Sequence, residues 1–207
     1  MYYIMLYIFE NTDELNESIL EKTNSLLSIQ RQQKVDSLRM IHDKINSTLV
    51  YLMLCFGLKN EYGIKTLPVF GSGKNGKPFL YDYEKIYFNL SHCRNSCACI
   101  ISDSETAVDI ADYRKISDNT AKYFCTNEQF TDAEKSDDKA KALVRLWAMK
   151  ECFSKISGDG LLMDFKTITE KNFEQIKCID SDRYFTAYYS EKDTKVKKIV
   201  LSDLLDV

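Results

Sequence analysis

Residues 147 to 155 of this 207-residue chain read Trp147-Ala148-Met149-Lys150-Glu151-Cys152-Phe153-Ser154-Lys155. The stretch places one carboxylate and two ammonium groups within an apolar pattern that predicts a helix over Lys139–Ile156. With about 3.6 residues per helical turn, Trp147, Glu151 and Lys155 share one face, and Lys150 lies beside it. Charged side chains on an otherwise apolar face usually have a partner or a function. This helix is therefore predicted to bring charged groups to a functional site.

A second acid, Asp109, lies in the apolar run Ala107-Val108-Asp109-Ile110, within a predicted strand over Thr106–Ile110. Hard divalent cations such as Mg²⁺ bind carboxylates, water molecules and the phosphate oxygens of substrates. Asp109 on a strand and Glu151 on a helix therefore form a candidate metal site. The alternative is that each acid is a surface residue or a salt-bridge partner.

Three further side chains are candidates for binding phosphate. Lys150 and Lys155 carry ammonium groups, which can hold the phosphates of a polyanionic substrate when they lie beside acids. The alternative for Glu151 and Lys155 is a simple ion pair, four residues apart on an exposed helix face. His92 follows a predicted strand, where an imidazole can donate to a phosphate or move a proton. A purely structural histidine is the alternative.

The overall composition disfavours several classes of protein. The net charge is −3, so non-specific binding to nucleic acid is not expected. No apolar run reaches the ~20 residues that cross a bilayer, so no membrane association is expected. The 7 cysteines are odd in number and no secretory leader is recognisable, which predicts reduced thiols and a cytoplasmic protein.

Two other kinds of site are disfavoured by their spacing. His92, Cys93, Cys97 and Cys99 invite a zinc site, but no second pair of closely spaced cysteines complements them. Cys97 and Cys99 are also separated only by Ala98, so they are expected to share one face of a strand. The glycine-rich turn over Gly71–Pro78 lacks the spacing of the phosphate-binding loop of ATPases.

The order of the predicted elements suggests two similar halves. A strand, helices and strands are followed by another strand, more helices and more strands. The predicted fold class is α+β, with halves over residues 1–104 and 105–207 and an active-site cleft between them. In the first half we predict a strand over Met1–Glu10, helices over Asn11–Leu27 and Arg31–Leu58, and strands over Ile86–Leu90 and Ala98–Ser102. In the second half we predict a strand over Thr106–Ile110, helices over Ser117–Phe124 and Lys139–Ile156, and strands over Arg183–Tyr189 and Lys195–Leu201, with Asp132–Lys141 as a solvated connection.

Three ordered segments resemble motifs of the Sfp-type 4′-phosphopantetheinyl transferases. Gly76-Lys77-Pro78 and then Phe88-Asn89-Leu90-Ser91-His92 resemble the family's GKP…FN[IL]SH. Val108-Asp109-Ile110 resembles its [IV]D[IV]E motif, and the stretch from Trp147 to Lys155 resembles W[ST]xKE[AS]xxK. The resemblance covers nearly the whole chain.

This resemblance implies a fold, a reaction and partners. The fold is a pair of α+β halves related by a pseudo-twofold axis, with coenzyme A in the cleft and Mg²⁺, or alternatively Mn²⁺, on its diphosphate. The reaction moves the 4′-phosphopantetheine arm onto a serine of an acyl or peptidyl carrier protein and releases adenosine 3′,5′-bisphosphate. Such an enzyme is a holo-acyl-carrier-protein synthase. A monomer is expected, because one chain already contains both halves.

The resemblance also implies residue roles. Asp109 and Glu151 would hold the metal, and Glu151 would help to deprotonate the carrier serine, either directly or through a water molecule. Lys155 and His92 would act on the diphosphate. The residues expected to contact coenzyme A are Arg31, Lys34, Lys77, Ser91, His92, Lys150 and Lys155. Lys115–Phe124 would form the carrier docking region, with Ile116, Tyr123 and Phe124 as apolar contacts.

The chain departs from the family pattern at a few positions. Ala111 stands where the family has a third acid, and Asp112 is expected on the opposite face of the strand. Asn46 and Ser47 stand near the place of a common arginine. These losses motivate an alternative function as a catalytically impaired homologue that binds coenzyme A or a carrier protein. A third hypothesis is an α+β interaction protein with coincidental motifs.

Overall fold

The computed structural model describes residues 4–158 and 163–207, except the side chain of Lys74, so the predicted strand residues Met1–Tyr3 and the helix-stopping Asp159 and Gly160 lie outside the described residues. The described strands are Ile4–Glu10 (β1), Phe70–Ser72 (β2), Pro78–Leu80 (β3), Tyr87–His92 (β4), Ser96–Ser102 (β5), Thr106–Asp112 (β6), Lys177–Asp180 (β7), Tyr184–Ser190 (β8) and Thr194–Ile199 (β9). The described α-helices are Ser18–Thr23 (α1), Ile29–Ser37 (α2), Ile41–Tyr62 (α3), Asp118–Phe124 (α4), Asn127–Lys135 (α5), Lys139–Ser157 (α6), Glu170–Phe173 (α7) and Leu201–Leu204 (α8). Among these helices, none combines the length and apolar character needed to cross a bilayer.

The two main sheets repeat one topology. In the first sheet, β5 pairs antiparallel with β1 on one side and with β4 on the other. In the second sheet, β8 pairs antiparallel with β6 on one side and with β7 on the other. A long helix packs on each sheet, α3 on the first and α6 on the second. The α+β class is confirmed, and the repeated strand order matches the two similar halves that the element order predicts.

The C-terminal strand does not stay within the second half. β9 pairs parallel with β1 and forms an edge of the first sheet. Ile199 at its end and Leu204 in α8 are buried in the core that β1 and α3 share. The predicted boundary after residue 104 falls in the connection between β5 and β6, but residues 194–204 pack with the first half.

The long helix predicted over Arg31–Leu58 is broken into α2 and α3. Leu38 and Met40 both have extended backbone angles, so the chain turns between the two helices. Neither glycine nor proline marks this break in the sequence. The turn lets α2 fold back on α3, which brings Arg31 against Ser47.

Two other predicted segments differ from the structure. The predicted helix over Asn11–Leu27 is reduced to short turns around α1. The charged segment over Asp132–Lys141 is largely exposed, in agreement with a solvated segment, but it includes the end of α5 at Lys135 and the start of α6 at Lys139. Thr126 and Gln129 start α5 with a reciprocal pair of side-chain hydrogen bonds, which satisfies backbone groups that a helix end leaves free.

Candidate active site

The two halves meet where β6 runs beside β4 without joining its sheet. Asn89 and Ser91 are two residues apart on β4, so their side chains leave the strand on the same side. The Asn89 Oδ1 accepts a hydrogen bond from the Val108 backbone N–H at 3.1 Å. The Ser91 Oγ accepts one from the Ile110 N–H at 3.2 Å. These two bonds, here called the seam, take the place of backbone pairing between β4 and β6.

Asp109 lies on the seam and is buried, with 6% of its surface exposed. Its Oδ1 accepts hydrogen bonds from the Ser91 Oγ at 2.9 Å and from the Lys155 Nζ at 2.7 Å. The Lys155 ammonium also donates to the Val108 carbonyl at 2.9 Å. The ion pair between Asp109 and Lys155 therefore joins β6 to the last turn of α6.

Glu151 lies one turn before Lys155 and shares a cavity of about 980 Å³ with Asp109, Ala111 and His92. We call this the carboxylate cavity. Among the described residues, no hydrogen-bond or ion-pair partner reaches the Glu151 carboxylate. Burial raises the pKa of Glu151, the charge of Asp109 raises it further, and Lys155 opposes them. A negative group that is half-buried beside another negative group is a favourable place for a cation.

These two carboxylates fit a hard divalent cation. Both are oxygen donors, they come from different elements, and they line one cavity that water can enter. The described residues contain no cluster of three or more His, Cys, Asp or Glu side chains placed to share a metal. Water and substrate oxygens would therefore complete the coordination of a cation held by Asp109 and Glu151.

Asp112 follows the position of the missing acid and also lines the carboxylate cavity, but its carboxylate has other partners. Ala111 lines the carboxylate cavity, two residues after Asp109 on the same strand. The Asp112 carboxylate instead accepts hydrogen bonds from the backbone N–H groups of Arg94 at 2.6 Å and Asn95 at 3.4 Å. Asp112 thus holds the turn between β4 and β5.

A second cavity of about 630 Å³ brings together Arg31, Lys34, Lys77, His92 and Lys155. We call this the cation cavity. Its cationic side chains come from α2, from the connection between β2 and β3, and from α6. His92, at the end of β4, lines both cavities. Five residues predicted from separate motifs therefore surround one space, as a polyanionic ligand requires.

Arg31 is the most buried of these cations, with 5% of its surface exposed. Its guanidinium lies 5.0 Å from the ring centre of Tyr51 and 5.2 Å from that of Phe70, and its Nη1 donates to the Ser47 Oγ at 3.2 Å. Its Nε has no hydrogen-bond partner among the described residues. Burial lowers the pKa of Arg31. A buried guanidinium with an unused donor favours an anionic ligand. Ser47, to which the Arg31 guanidinium bonds, stands near the place where the family has another arginine.

The other cations are more accessible. Lys34 is exposed, and partial loss of water together with the charge of Arg31 lowers its pKa. Lys77 forms an ion pair with Glu105 at 2.8 Å. This partner lowers the net positive charge that Lys77 adds to the cation cavity.

His92 reaches solvent at the point where the two cavities join. The surrounding protein still displaces enough water to lower the pKa of His92. Asp43 is the strongest charge that opposes this shift, while Lys155 acts in the same direction as the loss of water. The imidazole is therefore mostly neutral near pH 7 and can donate one hydrogen bond.

The prediction that Lys150 contacts coenzyme A disagrees with the structure, because this side chain is fully buried. Its surface is 0% exposed. The three N–H groups of its ammonium donate to the Phe124 carbonyl at 2.8 Å, the Gln129 Oε1 at 2.7 Å and the Phe165 carbonyl at 2.7 Å. Burial lowers the pKa of Lys150 to about 8. This lysine holds α4, α5 and the Phe165 segment against α6.

The prediction that Ser91 contacts coenzyme A also disagrees with the structure. Its hydroxyl is buried and is used in the bonds to Asp109 and to the Ile110 N–H. It lines neither cavity. The direct phosphate contact predicted for this side chain is therefore replaced by a contact with the candidate metal ligand.

The predicted docking region has a mixed outcome. Tyr123 is exposed, and Ile116 lines the carboxylate cavity near the exposed Met40. Phe124 is fully buried, with its ring centre 5.0 Å from that of Trp147, so it belongs to the core and corrects the prediction of a surface contact.

Two site residues were not found from the sequence. Asn89 supports the seam, and its spacing of two residues from Ser91 on one strand is the signal that could have indicated it. Asp43, in the first turn of α3, lines both cavities. Nothing in its local sequence distinguishes it from an ordinary surface acid.

The chain is similar in sequence to proteins of one superfamily. The profile of the 4′-phosphopantetheinyl transferase superfamily matches residues 103–201. The 4′-phosphopantetheinyl transferase Sfp of Bacillus subtilis (strain 168) is 25% identical over 150 residues, which cover 71% of this chain and 67% of the relative. The 4′-phosphopantetheinyl transferase psf-1 of Bacillus pumilus is 21% identical over 155 residues, covering 73% and 66%. The L-aminoadipate-semialdehyde dehydrogenase-phosphopantetheinyl transferase of Candida glabrata is 28% identical over 171 residues, covering 78% and 65%. The match thus spans about two thirds of the length of these relatives.

Proposed function

We propose that this chain is a 4′-phosphopantetheinyl transferase, which transfers the 4′-phosphopantetheine arm of coenzyme A to a serine of an acyl or peptidyl carrier protein. One observation supports this most strongly. The cation cavity and the carboxylate cavity join at His92, with Lys155 in the first and Glu151 in the second. A polyanion that binds to the cations therefore presents its phosphates to the two acids.

In this proposal the cation cavity holds the phosphates of coenzyme A. Arg31 and Lys34 bind the 3′-phosphate, and the position of both residues in the lining of the cation cavity supports this assignment. Lys77 contributes to nucleotide binding from the rim. Lys155 and His92 bind the diphosphate, where positive charge and a hydrogen-bond donor stabilise the leaving group.

The reaction needs no covalent intermediate on the protein. The carrier serine oxygen attacks the phosphorus that bears the pantetheine arm, and the bond from that phosphorus to the bridging oxygen breaks. Glu151 accepts the serine proton, and adenosine 3′,5′-bisphosphate leaves from beside Lys155 and His92. The Glu151 carboxylate lines the carboxylate cavity and has no partner among the described residues, which leaves it available to accept this proton.

Asp109 and Glu151 would hold Mg²⁺, or Mn²⁺ as the alternative metal. The cation would neutralise charge on the diphosphate as the bridging bond breaks. The chain itself supplies Asp109, which Lys155 holds in place, and Glu151, which has no partner among the described residues.

We also propose a monomeric, cytoplasmic protein. Both cavities are lined by residues of one chain, which supports a site that is complete without a second copy. All 7 cysteines are free thiols, which suits a reducing compartment.

The direct test is incubation of the purified protein with coenzyme A, Mg²⁺ and apo carrier proteins from the same genome. Mass spectrometry should show one added phosphopantetheine arm on a carrier. The conserved serine of that carrier, replaced by alanine, provides the control. If no carrier gains mass with either Mg²⁺ or Mn²⁺, the transferase assignment is wrong.

The 3′-phosphate assignment predicts a selective effect of Lys34→Ala. The KM for coenzyme A should rise roughly tenfold or more, because a hydrogen bond to a charged group contributes ~1.5–3 kcal/mol. The KM for 3′-dephospho-coenzyme A should stay near its wild-type value, since that substrate lacks the group. Lys192→Ala, which removes a lysine paired with Asp103, is the matched control. Equal changes with both substrates would contradict the assignment.

Ala111 favours one alternative, a homologue that binds coenzyme A but has lost catalysis. Calorimetric binding of coenzyme A with no transfer under any divalent metal would support it. If the protein is active, Ala111→Glu adds a third acid beside Asp109 and should lower the Mg²⁺ concentration for half-maximal rate roughly tenfold, an effect of the size known for metal-site changes. Ala111→Gln, which matches glutamate in size without its charge, should not. Equal responses to both variants would show that charge at this position is unimportant.

A further inference from the structure

The contact between Ser91 and Asp109 assigns a role to a residue that does not itself touch the reacting groups. We propose that Ser91 is a positioning residue, which orients the Asp109 carboxylate for binding a divalent cation. The inference rests on the proposed function, because it concerns the same carboxylate.

The two oxygens of Asp109 have different surroundings. Oδ1 accepts from the Ser91 Oγ at 2.9 Å and from the Lys155 Nζ at 2.7 Å. Oδ2 accepts no hydrogen bond from any residue in the described part of the chain. Two donors on one oxygen fix the rotation of the carboxylate and leave the other oxygen available. Oδ2 is therefore the oxygen offered to a cation.

Ser91 can act in this way because its hydroxyl is held from two sides. The Ile110 N–H donates to the Ser91 Oγ at 3.2 Å, and the hydroxyl gives its own proton to Asp109. A hydroxyl has one proton, so the bond from Ile110 occupies a lone pair and leaves that proton for the carboxylate. Ser91 is also anchored in the first sheet, opposite Ala98 of β5.

The seam keeps this geometry in register. Asn89 holds the Val108 N–H two residues along from the bond between Ser91 and Ile110, so β6 cannot slide along β4 without losing both bonds. His92 directly follows Ser91 on β4 and leaves the strand on its other side. The same contacts therefore fix the distance between the phosphate-binding imidazole in one half and the acid in the other.

Cation affinity tests this role without relying on turnover. Mn²⁺ is titrated at saturating coenzyme A in the absence of carrier protein, and binding is followed by water-proton relaxation. Ser91→Ala should raise the Kd for Mn²⁺ roughly tenfold or more, because groups that orient metal ligands typically contribute that much affinity. Ser91→Thr keeps the hydroxyl and should restore most of the affinity. Coenzyme A affinity without metal should change little in both variants.

The control is Ser102→Ala, which removes another buried strand hydroxyl that bonds only to Ser104 among the described residues. Wild-type Mn²⁺ affinity in Ser91→Ala, or equal weakening in Ser102→Ala, would overturn the inference. If Ser91→Ala does not fold, Ser91→Cys keeps the size with a weaker donor, and unchanged affinity there would overturn it as well. If the wild-type protein binds Mn²⁺ and transfers the arm, the proposed function holds, and these outcomes then concern the role of Ser91 alone. A wild-type protein that binds neither Mn²⁺ nor coenzyme A would refute both.

Discussion

Replacing Glu151 with glutamine should lower kcat for arm transfer by at least about 10³-fold, because a general base contributes ~10²–10⁴-fold and this residue is also a proposed metal ligand. The amide has nearly the same shape as the carboxylate but cannot accept the serine proton. In the structure Glu151 is the carboxylate that faces the carboxylate cavity without a described partner. Its loss therefore removes function without removing an observed structural contact.

The measurement combines single-turnover kinetics at saturating coenzyme A with a binding titration. Trp147 is the single tryptophan and lines the carboxylate cavity, so its fluorescence reports ligand binding. Coenzyme A affinity without metal should stay close to wild type. Glu174→Gln, an exposed acid of the same half, is the control. A variant at position 151 that retains transfer at a rate comparable to wild type would exclude Glu151 as the base.

Replacing Lys150 with methionine should lower the free energy of unfolding by about 1–3 kcal/mol, the usual cost of leaving a buried polar group without its hydrogen-bond partner. Three acceptors would lose this donor at once: two backbone carbonyls and the Gln129 side chain. The Phe165 carbonyl would keep its bond from the Ile168 N–H, and the Gln129 Oε1 would keep its bond from the Thr126 N–H. Methionine fills a similar volume, so the effect would come from the lost hydrogen bonds and not from a large cavity.

Urea denaturation followed by circular dichroism would measure this loss. Lys139→Met lies on the same helix and removes surface ion pairs with Asp118 and Glu134, so its unfolding midpoint should change little. The contrary result is equally informative. An unchanged midpoint together with weaker coenzyme A binding in Lys150→Met would return this lysine to the ligand site that the sequence suggested.

The pair Lys150 and Lys155 shows how far sequence reasoning reaches. Both are lysines of one helix and both stand in the same motif, so residue type and spacing assign them to the same site. Lys155 does reach Asp109 and the cation cavity. Lys150 is directed away from it, to carbonyls of α4 and of the Phe165 segment. The two lysines have different partners because other elements of the fold supply those partners. The helical periodicity of the sequence gives no information about such contacts.

The fold shows the same limit. The repeated order of strands and helices could be predicted, because hydrophobic periodicity is local. The break between α2 and α3 could not, since no glycine or proline stands at residues 38–40. The motif acids could be predicted because charges in apolar runs are conspicuous. The second role of Ser91 could not, because it depends on β6 lying beside β4.

The pairing of β9 with β1 has a consequence for biosynthesis. The parallel neighbour of β1 is made more than 180 residues after it, once the whole second sheet has been made. Until then the chain must keep one edge of β1 unpaired, and such edges invite wrong association. Closing this contact also joins segments that are far apart in the sequence, which slows folding in general. The first sheet can therefore gain its fourth strand only after the strands of the second sheet have been made.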